Sequence, residues 1–185
     1  KQVLAITGAQ KVNLIGHSHG SQSVRYVASL LPNKVASVTA VGGPTKGSDV
    51  ADVIYSITQS PVGPAVTPLL AAGVNAFFSL VGIGSGHYYD QNALAGLNSL
   101  TTRGSANFNQ RFPAAVPTTA CGSGTESVNG VRYYSWSGTS PFTNALDPLD
   151  YALAATSLLI SSENDGLVPR CSSHLGTVIR DNYAF

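Results

Sequence analysis

The stretch Val12-Asn13-Leu14-Ile15-Gly16-His17-Ser18-His19-Gly20 decides the fold of this chain. Its apolar start predicts a short buried strand, and residues 21–31 after it suit a helix. A Gly-x-Ser-x-Gly turn between a strand and a helix is typical of a nucleophile elbow, which lifts the Ser18 hydroxyl out of the edge of the sheet. Because the turn is tight, we expect Gly16 and Gly20 to stand where no side chain fits.

The residue after this serine is expected to act through its backbone. His19 would open the helix, so that its N–H lies where an oxyanion would form. The alternative is a Gly/Ser-rich turn that carries no chemistry. The matching strand and helix on either side favour the elbow.

Composition restricts the class of protein. The chain has 185 residues, of which 43% are hydrophobic and 10% charged, and this suits one domain with a substantial core. A net charge of +1 gives no case for nucleic acid as a partner. The two cysteines, in a chain with only four lysines, favour a secreted protein with a disulfide bond, although two unpaired buried thiols would give the same count.

Neither end of the chain has the signals of a natural end. There is no methionine and no signal peptide, and residues 1–8 suit the end of a helix that Gly8 terminates. Residues 181–185 approach the other end without a terminating signal. We therefore expect residues 1–185 to form a single domain that is incomplete at both ends.

Strands and helices alternate along the chain. A strand at 12–15, a helix at 21–31 and a strand at 35–41 predict a parallel βαβ unit. The loop at 44–49 then lies at the carboxyl end of the second strand, where the sites of α/β proteins lie. The later pattern predicts helices at 92–100 and 105–112, an Asn-Gly hairpin at 128–131, and then a strand at 132–137, a helix at 148–155 and a strand at 157–161.

Residues 53–89 contain no charged side chain. A buried core helix, a transmembrane span and a mobile lid would each explain such a segment. Its polar residues interrupt the roughly 20 apolar residues that a span needs. The neighbouring candidate site favours a lid over about residues 53–90, with an apolar helical face formed by Leu70, Val74, Phe77, Phe78 and Val81.

A serine hydroxyl becomes an effective nucleophile when a histidine takes its proton and a carboxylate orients that histidine. After a nucleophile elbow the expected chain order is serine, acid, histidine, and all nine acidic residues follow Ser18. Asp165 is the best placed, because it follows the predicted strand at 157–161 and lies in a Gly-containing turn. An Asx turn that only shapes the backbone is the alternative.

The sequence offers no clear general base. His17 and His19 adjoin the serine, and His87 precedes Asp165. His174 is the one histidine after Asp165, but it follows by nine residues and lies beside a cysteine. We interpret His174 as structural, with a role as the base as the alternative.

Six segments carry a resemblance to one family. They are residues 12–20, Lys46-Gly47-Ser48-Asp49, Tyr133-Tyr134-Ser135-Trp136-Ser137-Gly138, Asn164-Asp165-Gly166-Leu167-Val168, Cys171-Ser172-Ser173-His174-Leu175-Gly176 and Val178-Ile179-Arg180-Asp181-Asn182-Tyr183. Together they resemble the secreted triacylglycerol lipases of Pseudomonas and Burkholderia, most of all the Pseudomonas aeruginosa type, over nearly the whole chain. The resemblance implies an α/β-hydrolase fold, with a mostly parallel sheet flanked by helices and a helical lid.

The resemblance assigns the site residues position by position. Ser18 matches the nucleophile and Asp165 matches the acid of the triad. His19 matches the residue whose backbone N–H forms half of the oxyanion hole.

The resemblance also implies one disulfide, one structural calcium ion and a dedicated periplasmic folding chaperone. Cys121 and Cys171 match the disulfide pair, and Asp147 matches a calcium ligand. From the sequence alone Asp147 is a helix N-cap before Pro148, and both roles are compatible.

Some parts of the family pattern are missing. The strand with the second oxyanion N–H would precede Lys1, and the catalytic histidine and other calcium ligands would follow Phe185. Ser21 stands where near relatives have glycine, and Thr45 where they have histidine. We therefore expect residues 1–185 alone to be inactive.

The function that the resemblance implies is hydrolysis of the carboxylic esters of triacylglycerols at a lipid–water interface, with interfacial activation. It further implies secretion through the periplasm. The charge pattern and the interrupted apolar segment speak against nucleic acid and against a transmembrane segment. A soluble carboxylesterase or acyltransferase is the alternative enzyme, and a non-catalytic binding module with a hydrolase fold is the alternative of another class.

Overall fold

The computed structural model describes residues 1–65 and 92–184. The apolar face predicted between Leu70 and Val81, and with it most of the expected lid, lies outside the described residues. The described elements are α1 (Gln2–Thr7), β1 (Val12–His17), α2 (Gly20–Leu30), a 3₁₀ helix (Pro32–Lys34), β2 (Val35–Val41), α3 (Asp49–Gln59), α4 (Ala93–Leu100), α5 (Thr102–Arg111), β3 (Ser127–Val128), β4 (Val131–Ser140), α6 (Pro148–Ser157), a second 3₁₀ helix (Arg170–Ser173) and β5 (Thr177–Ala184).

A mostly parallel sheet forms the centre of the fold. Strands β1, β2 and β4 pair in parallel in that order, and β5 pairs in parallel with β4. The short β3 pairs antiparallel with the start of β4. His17 is in register with Val41, so the carboxyl ends of β1 and β2 lie side by side. This confirms the predicted βαβ unit and the mostly parallel α/β fold.

The core is built around β2 and β4. Val38 and Val131 are fully buried, and Ala28 of α2 and Leu175 pack in the same cluster. Strand β1 is less covered, since Ile15 keeps 72% of its surface exposed. Among the described residues, the buried core is therefore centred on β2 and β4.

Helix α2 packs through a polar face. Its buried residues are Ser21, Gln22, Arg25 and Ala28, which helical spacing places on one side. Arg25 Nη2 donates to Asn109 Oδ1 at 2.8 Å and to Phe112 O at 3.0 Å, and its guanidinium lies over the ring of Phe108. Burial lowers the pKa of Arg25 to about 10. Helix α2 is thus joined to α5 by directional contacts as well as by apolar burial.

Two local predictions are confirmed by backbone angles. Gly8 ends α1 with a φ of +67°, and its N–H donates to Leu4 O. Asn129 and Gly130 have φ values of +52° and +76°, as a tight hairpin between β3 and β4 requires.

The strand predicted at 157–161 is wrong. Helix α6 runs to Ser157, and the chain continues in turns in which Leu159 N donates to Thr156 O and Ile160 N to Ser157 O. Leu158 is 85% exposed and does not enter the sheet. The apolar run therefore lies in surface turns, and Ile160 is the one buried side chain among residues 157–161.

Within the described ranges, no helix has the length and apolar character needed to cross a bilayer.

Candidate active site

Ser18 occupies the turn between β1 and α2. Its φ of +52° is uncommon for a residue with a side chain and is typical of a strained functional turn. The Ser18 N–H donates to Val41 O at 2.9 Å, and its carbonyl accepts from Ser21 N at 3.0 Å. The turn is thus anchored to β2 on one side and to α2 on the other, which is the geometry of a nucleophile elbow.

The two glycines of the motif differ in their surroundings. A Cβ on Gly16 would lie 2.4 Å from Gly20 O, a distance that no real contact allows. A Cβ on Gly20 would meet nothing within 4 Å among the described residues. Among the described residues, the expected steric reason for a glycine therefore holds at Gly16 but not at Gly20.

Asp165 lies in a turn that orients its carboxylate. Oδ1 accepts from Leu167 N at 3.0 Å and from Val168 N at 2.8 Å. Asn164 Oδ1 accepts from Gly166 N, and Gly166 has a φ of +99°. The Asx turn that was the alternative reason for this aspartate is therefore present, and it uses only one of the two carboxylate oxygens.

The second oxygen of Asp165 faces the end of β2. A Cβ built on Gly42 would lie 3.4 Å from Asp165 Oδ2 and 4.0 Å from His17 Nε2. Gly42, with a φ of +52°, thus leaves the space in which these two side chains approach each other. Because His17 precedes Ser18, the acid and the elbow lie at the same edge of the sheet.

Burial raises the pKa of Asp165. The N–H groups of Val168 and Leu167, and then the charge of His17, act in the opposite direction. A desolvated carboxylate held by backbone donors is suited to accept a hydrogen bond from an imidazole.

Ser48 connects the turn at residues 164–168, which contains Asp165 and is called the acid turn below, to the helices around it. Its hydroxyl donates to Leu167 O at 2.5 Å and accepts from Ala51 N at 3.2 Å as the N-cap of α3. The Ser48 N–H donates to Leu100 O at 3.0 Å at the end of α4. One buried serine therefore fixes the acid turn, α3 and α4 relative to each other.

Arg170 closes the other side of the acid turn. Its N–H donates to Glu163 O at 2.8 Å, and its guanidinium pairs with the Glu163 carboxylate. Its Nε donates to Asp181 Oδ2 at 2.7 Å on β5. The hydrogen bond from Arg170 lowers the pKa of Asp181, and His174 adds to this effect.

His19 follows Ser18 and is the N-cap of α2. Its Nε2 lies 2.9 Å from Ser99 Oγ on α4. Burial lowers the pKa of His19, and a position at a helix N-terminus also disfavours a positive ring. Both effects favour the neutral form of the ring.

His174 is held by structural contacts on both ring nitrogens. Nδ1 lies 3.1 Å from Gly122 O, and Nε2 lies 3.0 Å from Asp181 Oδ2. The side chain is buried. These contacts agree with the structural interpretation of His174 and leave no nitrogen free to accept a proton from a serine.

A disulfide bond joins Cys121 to Cys171, with the two Cα atoms 4.6 Å apart. The bond fixes the loop before β3 to the second 3₁₀ helix, directly after Arg170. Lys46 Nζ donates to the carbonyls of Thr119 and Ala120 in the same loop. The predicted pairing is confirmed.

Asp147 acts as the N-cap of α6. Its Oδ1 accepts from Leu149 N at 2.9 Å. Within residues 1–65 and 92–184, no three His, Cys, Asp or Glu side chains form a group that could hold a metal ion. A calcium ion prefers six to eight oxygen ligands, so these residues alone do not make a calcium site.

Ser21 and Thr45, the two departures from the family pattern, are fully buried. Neither hydroxyl has a hydrogen-bond partner among the described residues. Gly43 lies against Ser21, because a Cβ there would be 2.3 Å from Ser21 Oγ. The extra side chain on α2 is thus accommodated by a glycine on the facing loop.

Three residues around the site were not found from the sequence. Ser48 had a local signal, since a serine before Asp49 and Asp52 is typical of a helix N-cap with acidic residues in its first turn. The approach of His17 to Asp165 and the contact of Ser99 with His19 bring together residues far apart in the chain. No local pattern marks either of them.

The sheet order and the elbow define the class of protein. Residues 1–175 match the family described as alpha/beta hydrolase fold. The chain belongs to this family.

The names of similar proteins are more specific than the family description, because they state an activity. The chain is 53% identical over 184 residues to a triacylglycerol lipase of Vibrio cholerae serotype O1, with 99% of this chain and 58% of the relative covered. It is 45% identical over 187 residues to a triacylglycerol lipase of Pseudomonas fragi, with 95% and 63% covered. It is 42% identical over 215 residues to a triacylglycerol lipase of Burkholderia plantarii, with 99% and 59% covered. The resemblance to this group is confirmed, and the chain spans less than two thirds of the length of these relatives.

Solved structures agree with the fold. The crystal structure of Bacillus licheniformis lipase BlEst2 in mature form has a TM-score of 0.58 at 17% identity, covering 96% of this chain and 59% of that one. The crystal structure of Staphylococcus hyicus lipase has a TM-score of 0.51 at 16% identity, covering 93% and 61%.

Proposed function

We propose that the full-length protein is a triacylglycerol lipase that hydrolyses carboxylic esters through an acyl-enzyme. The observation that carries this proposal is Ser18 in a strained turn, at the same sheet edge as the Asp165 carboxylate, one oxygen of which accepts two backbone N–H groups. The names of the curated relatives support the substrate class.

In the proposed reaction, Ser18 Oγ attacks the ester carbonyl while its proton passes to a histidine. Asp165 Oδ2 accepts a hydrogen bond from that histidine and orients it. The N–H of His19 stabilises the negative oxygen of the tetrahedral intermediate. The alcohol leaves with the proton, and water then releases the fatty acid from Ser18 by the same steps.

Among the described residues, the resemblance assigns neither the histidine base nor the second oxyanion N–H. His174 has both nitrogens engaged. We assign the base to a histidine of the full-length protein outside residues 1–185, as the family resemblance implies.

The lipid interface is the finer part of the proposal. The charge-free segment at 53–89 is consistent with a lid that opens at such an interface.

Secretion, a folding chaperone and a calcium ion remain proposals that rest on the family resemblance. For calcium, Asp147 is the described residue that would act as a ligand, together with residues outside the described ranges. To test this, calcium is titrated into the full-length protein and the unfolding temperature is measured at each concentration. Asp147→Asn is expected to reduce the rise in unfolding temperature that calcium causes.

The substrate class is tested by assaying the full-length protein with tributyrin below and above its solubility limit. A lipase is expected to show a steep rise in rate once an emulsion forms, and Ser18→Ala is expected to remove turnover. Saturation within the dissolved range would identify a soluble carboxylesterase instead. Absence of turnover on every ester, with the fold intact, would favour a binding module.

A further inference from the structure

The neighbourhood of the expected oxyanion donor contains a contact that the elbow motif does not predict. Helix α4, the first described element after residue 91, comes against the start of α2 through Ser99. The His19 imidazole and the Ser99 hydroxyl meet at 2.9 Å, although they lie 80 residues apart in the chain.

The direction of this hydrogen bond follows from the partners of Ser99. The Ser99 hydroxyl donates its single hydrogen to Gly96 O at 2.7 Å. Its oxygen must therefore accept from His19 Nε2–H. A neutral His19 is thereby fixed as the Nε2–H tautomer with its ring held toward α4.

Ser99 is itself held from α2 and α5. Gln22 Nε2 donates to Ser99 O at 3.0 Å and to Ser105 Oγ at 3.2 Å. The Ser105 hydroxyl also lies 3.1 Å from Pro44 O, in the loop after β2. Gln22 and Ser105 are both buried. Ser99 is therefore a fixed point against which a neighbouring side chain can be oriented.

We propose that the His19–Ser99 hydrogen bond positions the backbone N–H of His19 for the oxyanion. This inference rests on the proposed function and deepens it by naming two positioning groups. The ring of His19 is joined to the same Cα as that N–H, so a ring fixed on Ser99 restricts rotation of the peptide that precedes it. Because the oxyanion forms only in the transition state, a misdirected N–H reduces kcat and leaves substrate binding unchanged.

The test uses the full-length protein and a soluble short-chain nitrophenyl ester. We compare Ser99→Ala with Ser29→Ala, whose hydroxyl makes a similar local bond to Tyr26 O but contacts no residue of the elbow. Turnover is divided by the fraction of Ser18 that an organophosphate labels, so that loss of folded protein does not enter kcat. We expect Ser99→Ala to lower kcat by about 10- to 100-fold, as a displaced catalytic group does, with KM within about twofold. Ser29→Ala is expected to match the unaltered protein.

A second pair of variants tests the bond from the His19 side. A glutamine at this position keeps an N–H donor for Ser99 Oγ, whereas a leucine does not. We expect His19→Gln to retain at least about five times the kcat of His19→Leu, and this advantage to disappear when Ser99→Ala is added. An advantage that persists without the Ser99 hydroxyl would overturn the proposal.

Two further results would overturn it. One is a kcat per labelled site that is the same in Ser99→Ala and Ser29→Ala. The other is a loss confined to the labelled fraction, which would make the contact purely structural. If the unaltered protein neither turns over ester nor is labelled, the proposed function fails and this inference fails with it; an active, labelled protein with a silent Ser99→Ala rejects the inference alone.

Discussion

At the scale of single residues, the site consists of groups held in unfavourable states by their neighbours. Ser18 keeps a positive φ, which costs of the order of 1–3 kcal/mol, and it is fixed there by the carbonyl of Val41 and the N–H of Ser21. Asp165 carries its charge in a buried place, with its pKa raised. Strain and desolvation at one sheet edge are typical of a site rather than of a structural turn.

Replacing Asp165 by asparagine separates stability from activity. Because burial raises the pKa of Asp165, the ionised carboxylate destabilises the fold as the pH rises through that pKa, and a neutral amide removes this effect. We expect Asp165→Asn to unfold at pH 7 at no lower temperature than the unaltered full-length protein. Its kcat is expected to fall by about 10⁴, because the histidine loses its orienting acceptor. Thermal unfolding and ester turnover measure the two effects.

Asp147→Asn is the matched control, since asparagine is an equally good helix N-cap. It is expected to change kcat far less than Asp165→Asn when calcium is saturating. A larger loss for Asp147→Asn would reverse the roles of the two aspartates.

The two glycines of the elbow give a second residue-scale prediction. Gly16→Ala places a methyl group 2.4 Å from Gly20 O, so the turn must open. We expect this variant to lose both stability and esterase activity, with a fall in unfolding free energy of about 1–3 kcal/mol, as for overpacked sites. Gly20→Ala meets nothing nearby among the described residues and is expected to be milder. Equal losses for the two variants, measured by urea unfolding, would contradict this account.

At the scale of helices and strands, the loop after β2 organises the site. It contains Gly42 under Asp165, Gly43 against Ser21, and Ser48 at the start of α3. Each of these residues faces a different element. The loop therefore fixes the positions of the acid turn and of helices α3 and α4 relative to the edge of the sheet.

Ser48→Ala removes two of these connections. The N-cap of α3 and the donor to Leu167 O are both lost, and loss of a cap alone costs about 1 kcal/mol. We expect unfolding free energy to fall by about 1–2 kcal/mol and kcat to fall about tenfold as the acid turn loosens. Ser56→Ala, on the same helix and with a local bond to Val53 O as its one side-chain hydrogen bond among the described residues, is the control. If the two variants behave alike in urea unfolding and in turnover, Ser48 does not hold the acid turn.

Local signals in the sequence predicted many of these elements. Strand β2, the hairpin at Asn129 and Gly130, and the stop of α1 at Gly8 follow from apolar runs and from residues that tolerate a positive φ. The apolar run after Ser157 failed as a strand, because an apolar sequence does not say whether a sheet position is available to it. Helix α3 was not predicted, although Ser48 and its acidic neighbours carry a start signal.

The candidate site was predictable only in part. The elbow and the Asp165 turn have local patterns, and the family resemblance added their roles. The approach of His17 to Asp165 and the bond between His19 and Ser99 depend on how β2 and α4 pack. Such contacts are set by the tertiary arrangement, which spacing along one chain does not encode.

At the scale of the whole molecule, the disulfide joins two regions that the sheet alone does not connect. It fixes the loop at Cys121 to the segment between the acid turn and β5. His174 and Arg170 reinforce the same place by contacts to Gly122 and Asp181. The part of the fold that carries Asp165 is therefore held by covalent and polar links.

Removing the disulfide tests this. The two cysteines are 50 residues apart, and closing such a loop is worth about 4 kcal/mol in the chain-entropy model. We expect Cys121→Ser combined with Cys171→Ser to lower the unfolding free energy by up to about 4 kcal/mol, as read from urea unfolding. An unchanged urea midpoint, or two free thiols in the unaltered protein, would contradict the assignment.

The most direct test of the central claim is covalent labelling of Ser18 in the full-length protein by an organophosphate. The elbow geometry predicts one equivalent of label per chain, on the peptide that contains Ser18, with complete loss of ester turnover in proportion to the label. Ser18→Ala should take up no label while keeping the unfolding temperature of the unaltered protein. Labelling of another residue, or full ester turnover in Ser18→Ala, would contradict the account.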